Sequence, residues 1–284
     1  MKRAKKRPKA AGKPLLNFPG HLVLLGAGKM GSAMLEGWLA RGLTPRKLIV
    51  LEPQPTKTVK ALARRGVVLN PRGKFQNAAA IVIAVKPQSA PEALRALEPF
   101  VGKSTLAVSI MAGRTLGFLR DALPPSAAIV RAMPNTPAAI GRGVTVASPN
   151  AKVSARQRKL AGDLLAAIGT VEWVSDESLM DAVTAVSGSG PAYVFLLAEA
   201  LAQAGVDAGL SPDLARKLAR ETVAGSGELL HRSPLDAAVL RENVTSPGGT
   251  TAAALSVLMG QGGLASLMRT AVAAATARSR ELAG

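Results

Sequence analysis

The chain has 284 residues, 48% of them hydrophobic but only 3% aromatic, enough apolar material for one large core or two smaller ones packed mainly by aliphatic side chains. It contains no cysteine and only two histidines, His21 and His231, which excludes disulfides, thiolate metal sites and cysteine nucleophiles. A zinc centre or a Ser-His-Asp triad has almost nothing to be built from, so no metal site is expected and the chemistry should be borrowed from an organic cofactor.

The formal charge of +18 is weighted towards the start: residues 1–19 carry Lys2, Arg3, Lys5, Lys6, Arg7, Lys9 and Lys13 with no acid. Pro8, Pro14 and Pro19 forbid a continuous amphipathic helix there, so residues 1–19 read as a disordered basic arm. Such an arm can attract nucleic acid or anionic surfaces, but no aromatic interleaving or nucleic-acid motif accompanies it, and a solvated extension is the preferred reading. No run approaches the ~18 uninterrupted apolar residues of a membrane span, and no secretory core follows the arm. A soluble, cytoplasmic protein is expected.

From His21 to Leu25 a short apolar run reads as a buried parallel strand. It leads into Gly26-Ala27-Gly28-Lys29-Met30-Gly31, a G-x-G-x-x-G sequence, and then into a helix over residues 32–40. Gly26 permits the tight turn, Gly28 lets backbone approach a pyrophosphate, and Gly31 lets the helix pack close; the helix start offers free N–H groups to the anion. Strand before and helix after make this a dinucleotide site. The next strand, 47–51, ends at Glu52, which can accept ribose hydroxyls and would repel the extra phosphate of NADP; the plain alternative is a solvated loop acid. Lys57, Arg64, Arg65, Arg72 and Lys74 follow and can counter that repulsion, so the choice between NAD and NADP stays open.

The alternation continues with a helix over 58–65, strands over 67–69 and 81–85, a helix over 88–98, and strands over 105–109 and 128–131. A doubly wound parallel sheet follows, with ligands at the carboxyl ends of its strands. Three of those ends carry Pro or Gly beside a polar residue: Lys86-Pro87, Ser109 to Gly113, and Met133 to Pro137. Residues 144–146, a helix near 154–167 and residues 171–173 complete this region.

From about Asp176 the pattern is helical throughout, giving a Rossmann-like domain over 20–175 and an all-helical domain over 176–284. Ser189-Gly190-Pro191, Ser211-Pro212 and Ser233-Pro234 each read as a cap followed by a first-turn proline. The helix after Pro191 is apolar nearly all round, with Leu197 and Leu201 sharing one face and Phe195, Leu196 and Ala200 apolar on others, and a symmetric partner subunit is its natural cover. Then Ser246-Pro247-Gly248-Gly249-Thr250-Thr251 feeds two threonines into a helix start, aiming backbone N–H groups and hydroxyls at one point, a cradle for a carboxylate. An ordinary threonine cap is the bland alternative.

Residues 26–33, 84–87, 133–138, 185–193 (AVSGSGPAY) and 244–251 (VTSPGGTT) resemble pyrroline-5-carboxylate reductase, and the likeness runs through nearly the whole chain after the arm. The resemblance implies a Rossmann domain followed by a helical dimerisation domain, a homodimer or larger homo-oligomer, and NADP(H) or NAD(H) as coenzyme. It implies reduction of the C=N bond of 1-pyrroline-5-carboxylate to L-proline, with substrate near the dimer interface. By the same resemblance Gly26, Gly28, Lys29, Met30 and Gly31 meet the pyrophosphate, and Ala84, Lys86 and Pro87 lie beside the nicotinamide half. Ser246, Gly248, Gly249, Thr250 and Thr251 take the substrate carboxylate, with Thr251 also touching the imine nitrogen as the catalytic residue. The loop Asn70-Pro71-Arg72-Gly73 departs from the pattern, with glycine where relatives often have asparagine. Two other classes fit the residues less well. A β-hydroxyacid dehydrogenase resembles it but uses a lysine early in the second domain, and none occurs between Lys159 and Lys217; a non-enzymatic sensor would depend on the arm.

Overall fold

The computed structural model describes residues 15–283 other than 74, 76 and 77, so most of the expected basic arm and Lys74 lie outside the described residues. The described chain divides into two compact units, one running up to residue 188 and including 279–283, the other residues 189–278.

The first unit is built on an eight-stranded sheet ordered β3-β2-β1-β4-β5-β6-β7-β8. Its strands are β1 Leu22–Leu25, β2 Leu48–Leu51, β3 Val68–Leu69, β4 Ala80–Ile83, β5 Leu106–Ser109, β6 Ala128–Met133, β7 Gly143–Pro149 and β8 Gly169–Trp173. β1 to β6 are parallel, in the order of a doubly wound nucleotide-binding sheet, and β7 runs antiparallel to β6. The helices are α1 Lys29–Ala40, α2 Lys57–Arg64, α3 Ala90–Arg95, α4 Leu116–Ala122, α5 Ala155–Leu165 and α6 Met180–Val183. α4 was not foreseen from the sequence. It is a short crossover, capped by Thr115, whose hydroxyl accepts from the Phe118 N–H.

The two-residue period of the strands divides their side chains between two apolar cores. Leu22, Leu24, Leu48, Val50 and Val108 join Met34, Leu35 and Trp38 of α1 and Leu164 of α5 on one face. Val23, Leu25, Ile49, Ile81 and Ile83 join Leu94 of α3 and Leu119 of α4 on the other. Trp38 is fully buried, and its indole N–H donates to the Leu164 carbonyl at 2.9 Å, tying α1 to α5.

The boundary of the arm needs correcting. Leu15 and Phe18 are 1% and 2% exposed in the first core, and the Lys47 ammonium donates to the Phe18 carbonyl, so residues 15–19 are packed chain. The compact units divide after residue 188, past the expected boundary at 176. The Glu177 carboxylate accepts from the Leu116 N–H at 2.7 Å and from the buried Arg131 guanidinium at 2.9 Å, and Met180 and Ala185 are fully buried, which keeps this stretch in the first unit.

The second unit begins after a π-helical turn, Thr184–Gly188. Its helices are α7 Gly190–Asp207, α8 Pro212–Arg232, α9 Ala237–Asn243 and α10 Thr250–Leu258, followed by α11 Leu264–Ala283, whose last residues belong to the first unit. Ser211 stands at the N-cap of α8 with Pro212 first inside the helix but makes no side-chain capping bond, and the other two expected caps differ further. Ser189 stands at the N-cap of α7 with helical backbone angles, following directly on the π turn, and makes no side-chain capping bond. Ser233-Pro234 ends α8, and the next helix starts at Ala237 behind Asp236. α7 and α8 pack on each other, but α7 buries none of its residues and α8 only Ala215 and Ala219. Phe195 is 64% exposed in the single chain, Leu196 62% and Leu197 52%.

Candidate active site

In the first unit, parallel pairing brings the carboxyl ends of β1, β2, β4, β5 and β6 to one edge of the sheet. A cleft of about 840 Å³ opens over the ends of β1, β2 and β4, lined by Gly26, Gly28, Glu52, Asn70, Ala84 and Lys86 among others.

Each glycine of the loop has its own reason. Gly26 has φ +89°, and a Cβ there would lie 2.8 Å from the Ala84 carbonyl oxygen. At Gly31 a Cβ would lie 2.3 Å from the Gly26 carbonyl oxygen, so only glycine lets α1 start this close to the turn. Gly28 has nothing within 4 Å and is exposed: its backbone faces open space. Gly28 is also the N-cap of α1, makes no side-chain cap and is followed by no acid, so the N–H groups of Lys29, Met30 and Gly31 are left for an anion. The cradle therefore fits the diphosphate of a dinucleotide. Lys29 is exposed beside it, whereas the Met30 side chain packs on the core, leaving only its N–H for the ligand.

Glu52 is held in place rather than left as a solvated loop acid. Its carboxylate accepts from the Ala27 N–H at 2.8 Å and from the Gln54 N–H at 3.0 Å. Its backbone is held by Asn70, whose side chain accepts from the Glu52 N–H and donates to the Glu52 carbonyl, both at 2.8 Å. Asn70 is the one described non-glycine residue with positive φ, at 45°. This clamp escaped the sequence reading, which had marked the loop only as a departure; Asn before Pro after a strand signals a turn but not its partner.

Ala84 and Lys86 follow β4, and Lys86 precedes a 3₁₀ turn at Pro87–Ser89. The Pro87 carbonyl accepts from the Arg114 guanidinium at 3.0 Å, and that guanidinium lies over the Phe118 ring at 4.5 Å. Arg114 thus positions the turn, a role with no signature in sequence. On the same edge the Asn135 side chain accepts from the Val144 N–H at 3.0 Å, fixing the bend after β6.

In the second unit, Gly248 has φ +69° and Gly249 is the N-cap of α10, with no side-chain cap. The Gly249 N–H donates back to the Ser246 carbonyl at 3.0 Å, and a Cβ on Gly249 would stand 3.2 Å from that oxygen. Thr250 and Thr251 are therefore the first two residues inside the helix and neither caps it, which removes the ordinary-cap alternative. Thr250 is exposed, Thr251 half-buried, and their N–H groups stand unpaired at the helix start beside their hydroxyls.

The comparisons divide along the same lines. Residues 177–282 match the family model "Pyrroline-5-carboxylate reductase dimerisation", and residues 21–113 match "NADP oxidoreductase coenzyme F420-dependent". The chain is 38% identical to the pyrroline-5-carboxylate reductase of Pseudomonas aeruginosa over 92% of its own length and 96% of the relative's. Among solved structures it is similar to a pyrroline-5-carboxylate reductase from Coxiella burnetii, with a TM-score of 0.85 and 34% identity over 93% of this chain and 99% of that one. It is also similar to the Plasmodium falciparum pyrroline carboxylate reductase with NADP bound, with a TM-score of 0.78 and 31% identity over 95% and 100% of the two chains.

Proposed function

Since the chain belongs to the pyrroline-5-carboxylate reductase family, we propose that the opening of α10 holds its substrate's carboxylate and that the glycine loop after β1 holds its coenzyme. The reaction is reduction of the C=N bond of 1-pyrroline-5-carboxylate to L-proline, the last step of proline biosynthesis. The bound NAD(P)H supplies the hydride. A cyclic imine is readily protonated, so its carbon accepts hydride more easily than a ketone does, and the protein has to position and polarise more than to donate a strong acid.

One observation carries this reading: Ser246, Gly248 and Gly249 build a helix start whose N–H groups and threonine hydroxyls have no capping partner. That arrangement suits a carboxylate, and the Thr251 hydroxyl is the group proposed to hydrogen-bond the imine nitrogen. Ala84, Lys86 and Pro87 line the nicotinamide side, while the amides of Gly28 to Gly31 take the diphosphate. The test follows the loss of reduced-nicotinamide absorbance when pyrroline-5-carboxylate is added, with L-proline identified as product. No oxidation of either coenzyme would sink the reading.

The protein is a homo-oligomer acting on a small molecule, and we place it in the cytoplasm. By length and composition the stretch Glu177–Asp207 is apolar enough to cross a membrane, and only 6% of its apolar 18-residue span is buried in the single chain. The same stretch falls in the dimerisation match, so a second copy is the proposed cover, with no role for lipid or nucleic acid. Leu197→Glu should then place a carboxylate in a dry interface and weaken assembly by roughly a hundredfold or more, given the several kcal/mol such burial costs. Sedimentation velocity across a concentration series measures it. An unchanged assembly would locate the interface elsewhere.

A further inference from the structure

The clamp around Glu52 bears on which of the two coenzymes is used. Glu52 directly follows β2, on one side of β1, and lines the cleft together with Gln54 and Asn70. Among the described residues lining that cleft it is the one acid, and Lys86, the one base, follows β4 on the opposite side of β1. Of the five counter-charges the sequence offered, Lys57, Arg64, Arg65 and Arg72 are exposed and line no part of it, and Lys74 lies outside the described residues. Arg64 and Arg65 stand at the far end of α2.

The carboxylate is fixed as well as placed. The Ala27 N–H holds Oε2, the Gln54 N–H holds Oε1, and the Asn70 amide holds the backbone at both N–H and carbonyl. Each carboxylate oxygen can accept two hydrogen bonds, so after these contacts each keeps one lone pair for a further donor. A ribose 2′-hydroxyl is such a donor; a 2′-phosphate is an acceptor carrying up to two negative charges. The side chain cannot swing away from the phosphate without releasing the glycine loop at Ala27.

We infer that Glu52 is a specificity-determining residue that makes this reductase favour NADH over NADPH. The inference rests on the assignment of the cleft to a dinucleotide, with the adenosine ribose at the end of β2. Repulsion between a carboxylate and a 2′-phosphate a few ångströms apart, partly screened by water, sets NADH binding at least about tenfold tighter.

Isothermal calorimetry with the full-length protein, titrating NADH and NADPH in parallel, tests it apart from turnover. The expected result is an NADH dissociation constant at least about tenfold below that of NADPH, and a ratio reduced to about threefold or less in Glu52→Gln, which keeps a carbonyl acceptor but loses the charge. Equal binding of the two, or tighter NADPH, overturns the inference and leaves the reductase assignment standing. A wild-type preference that survives in Glu52→Gln moves the cause to another residue. If neither coenzyme binds, the failure lies in the cleft assignment itself. Should Glu52→Gln not fold, the wild-type ratio measured against salt decides: screening must narrow it, and a salt-independent ratio overturns the electrostatic cause.

Discussion

Gly31→Ala is expected to abolish measurable coenzyme binding and to destabilise the first unit. A Cβ at this position would sit 2.3 Å from the Gly26 carbonyl oxygen, which is backbone with no rotamer to relax into. Either α1 withdraws from the turn or the turn opens, and in both cases the N–H groups of Lys29, Met30 and Gly31 cease to converge. Forced overpacking of this kind costs roughly 1–3 kcal/mol. The loss of a preorganised anion site should raise the coenzyme dissociation constant about a hundredfold or more, since charge-assisted hydrogen bonds contribute ~1.5–3 kcal/mol each. Gly28→Ala is the control: nothing lies within 4 Å of its Cβ position, so its unfolding midpoint should hold while coenzyme affinity falls. Denaturant titration and calorimetry on both variants separate the two effects. Wild-type affinity in Gly31→Ala would show that the glycine loop is not the coenzyme site.

Thr251→Ala is expected to lower kcat by roughly a hundredfold, the usual scale for removing one positioned hydrogen-bonding group at a reacting centre. The hydroxyl caps nothing and alanine is the better helix former, so stability should stay within about 0.5 kcal/mol of wild type. Coenzyme affinity should not move, because the glycine loop is untouched. Thr251→Ser, which keeps the hydroxyl, should recover most of the rate. Single-turnover kinetics alongside coenzyme binding gives the comparison, and full turnover in Thr251→Ala would remove the residue from the reaction.

The doubly wound sheet was legible because its central strands, buried on both faces, are uninterrupted apolar runs, and because the glycine motif stood between a strand and a helix. The antiparallel turn of β7 was not, since nothing in Gly143–Pro149 encodes the direction of its partner. α4 was missed because its seven residues are too few to display a helical period. The domain boundary depended on Glu177 reaching Leu116 and Arg131, residues more than forty positions away in sequence. The proposed substrate loop could be read from Gly-Gly-Thr-Thr, but whether a threonine or a glycine caps α10 required the backbone itself. Glu52 shows the same limit more sharply: the acid was visible, while the Ala27, Gln54 and Asn70 contacts that hold it were not.

The end of α11 has a further consequence. The buried Ser279 hydroxyl donates to the Asp181 carboxylate at 2.7 Å, and the Leu282 carbonyl comes within 3.2 Å of where a Cβ on Gly113 would stand. The helical segment is thus a loop of chain moored at both feet in the same body. A protease nick in either connection would leave it tethered by the other.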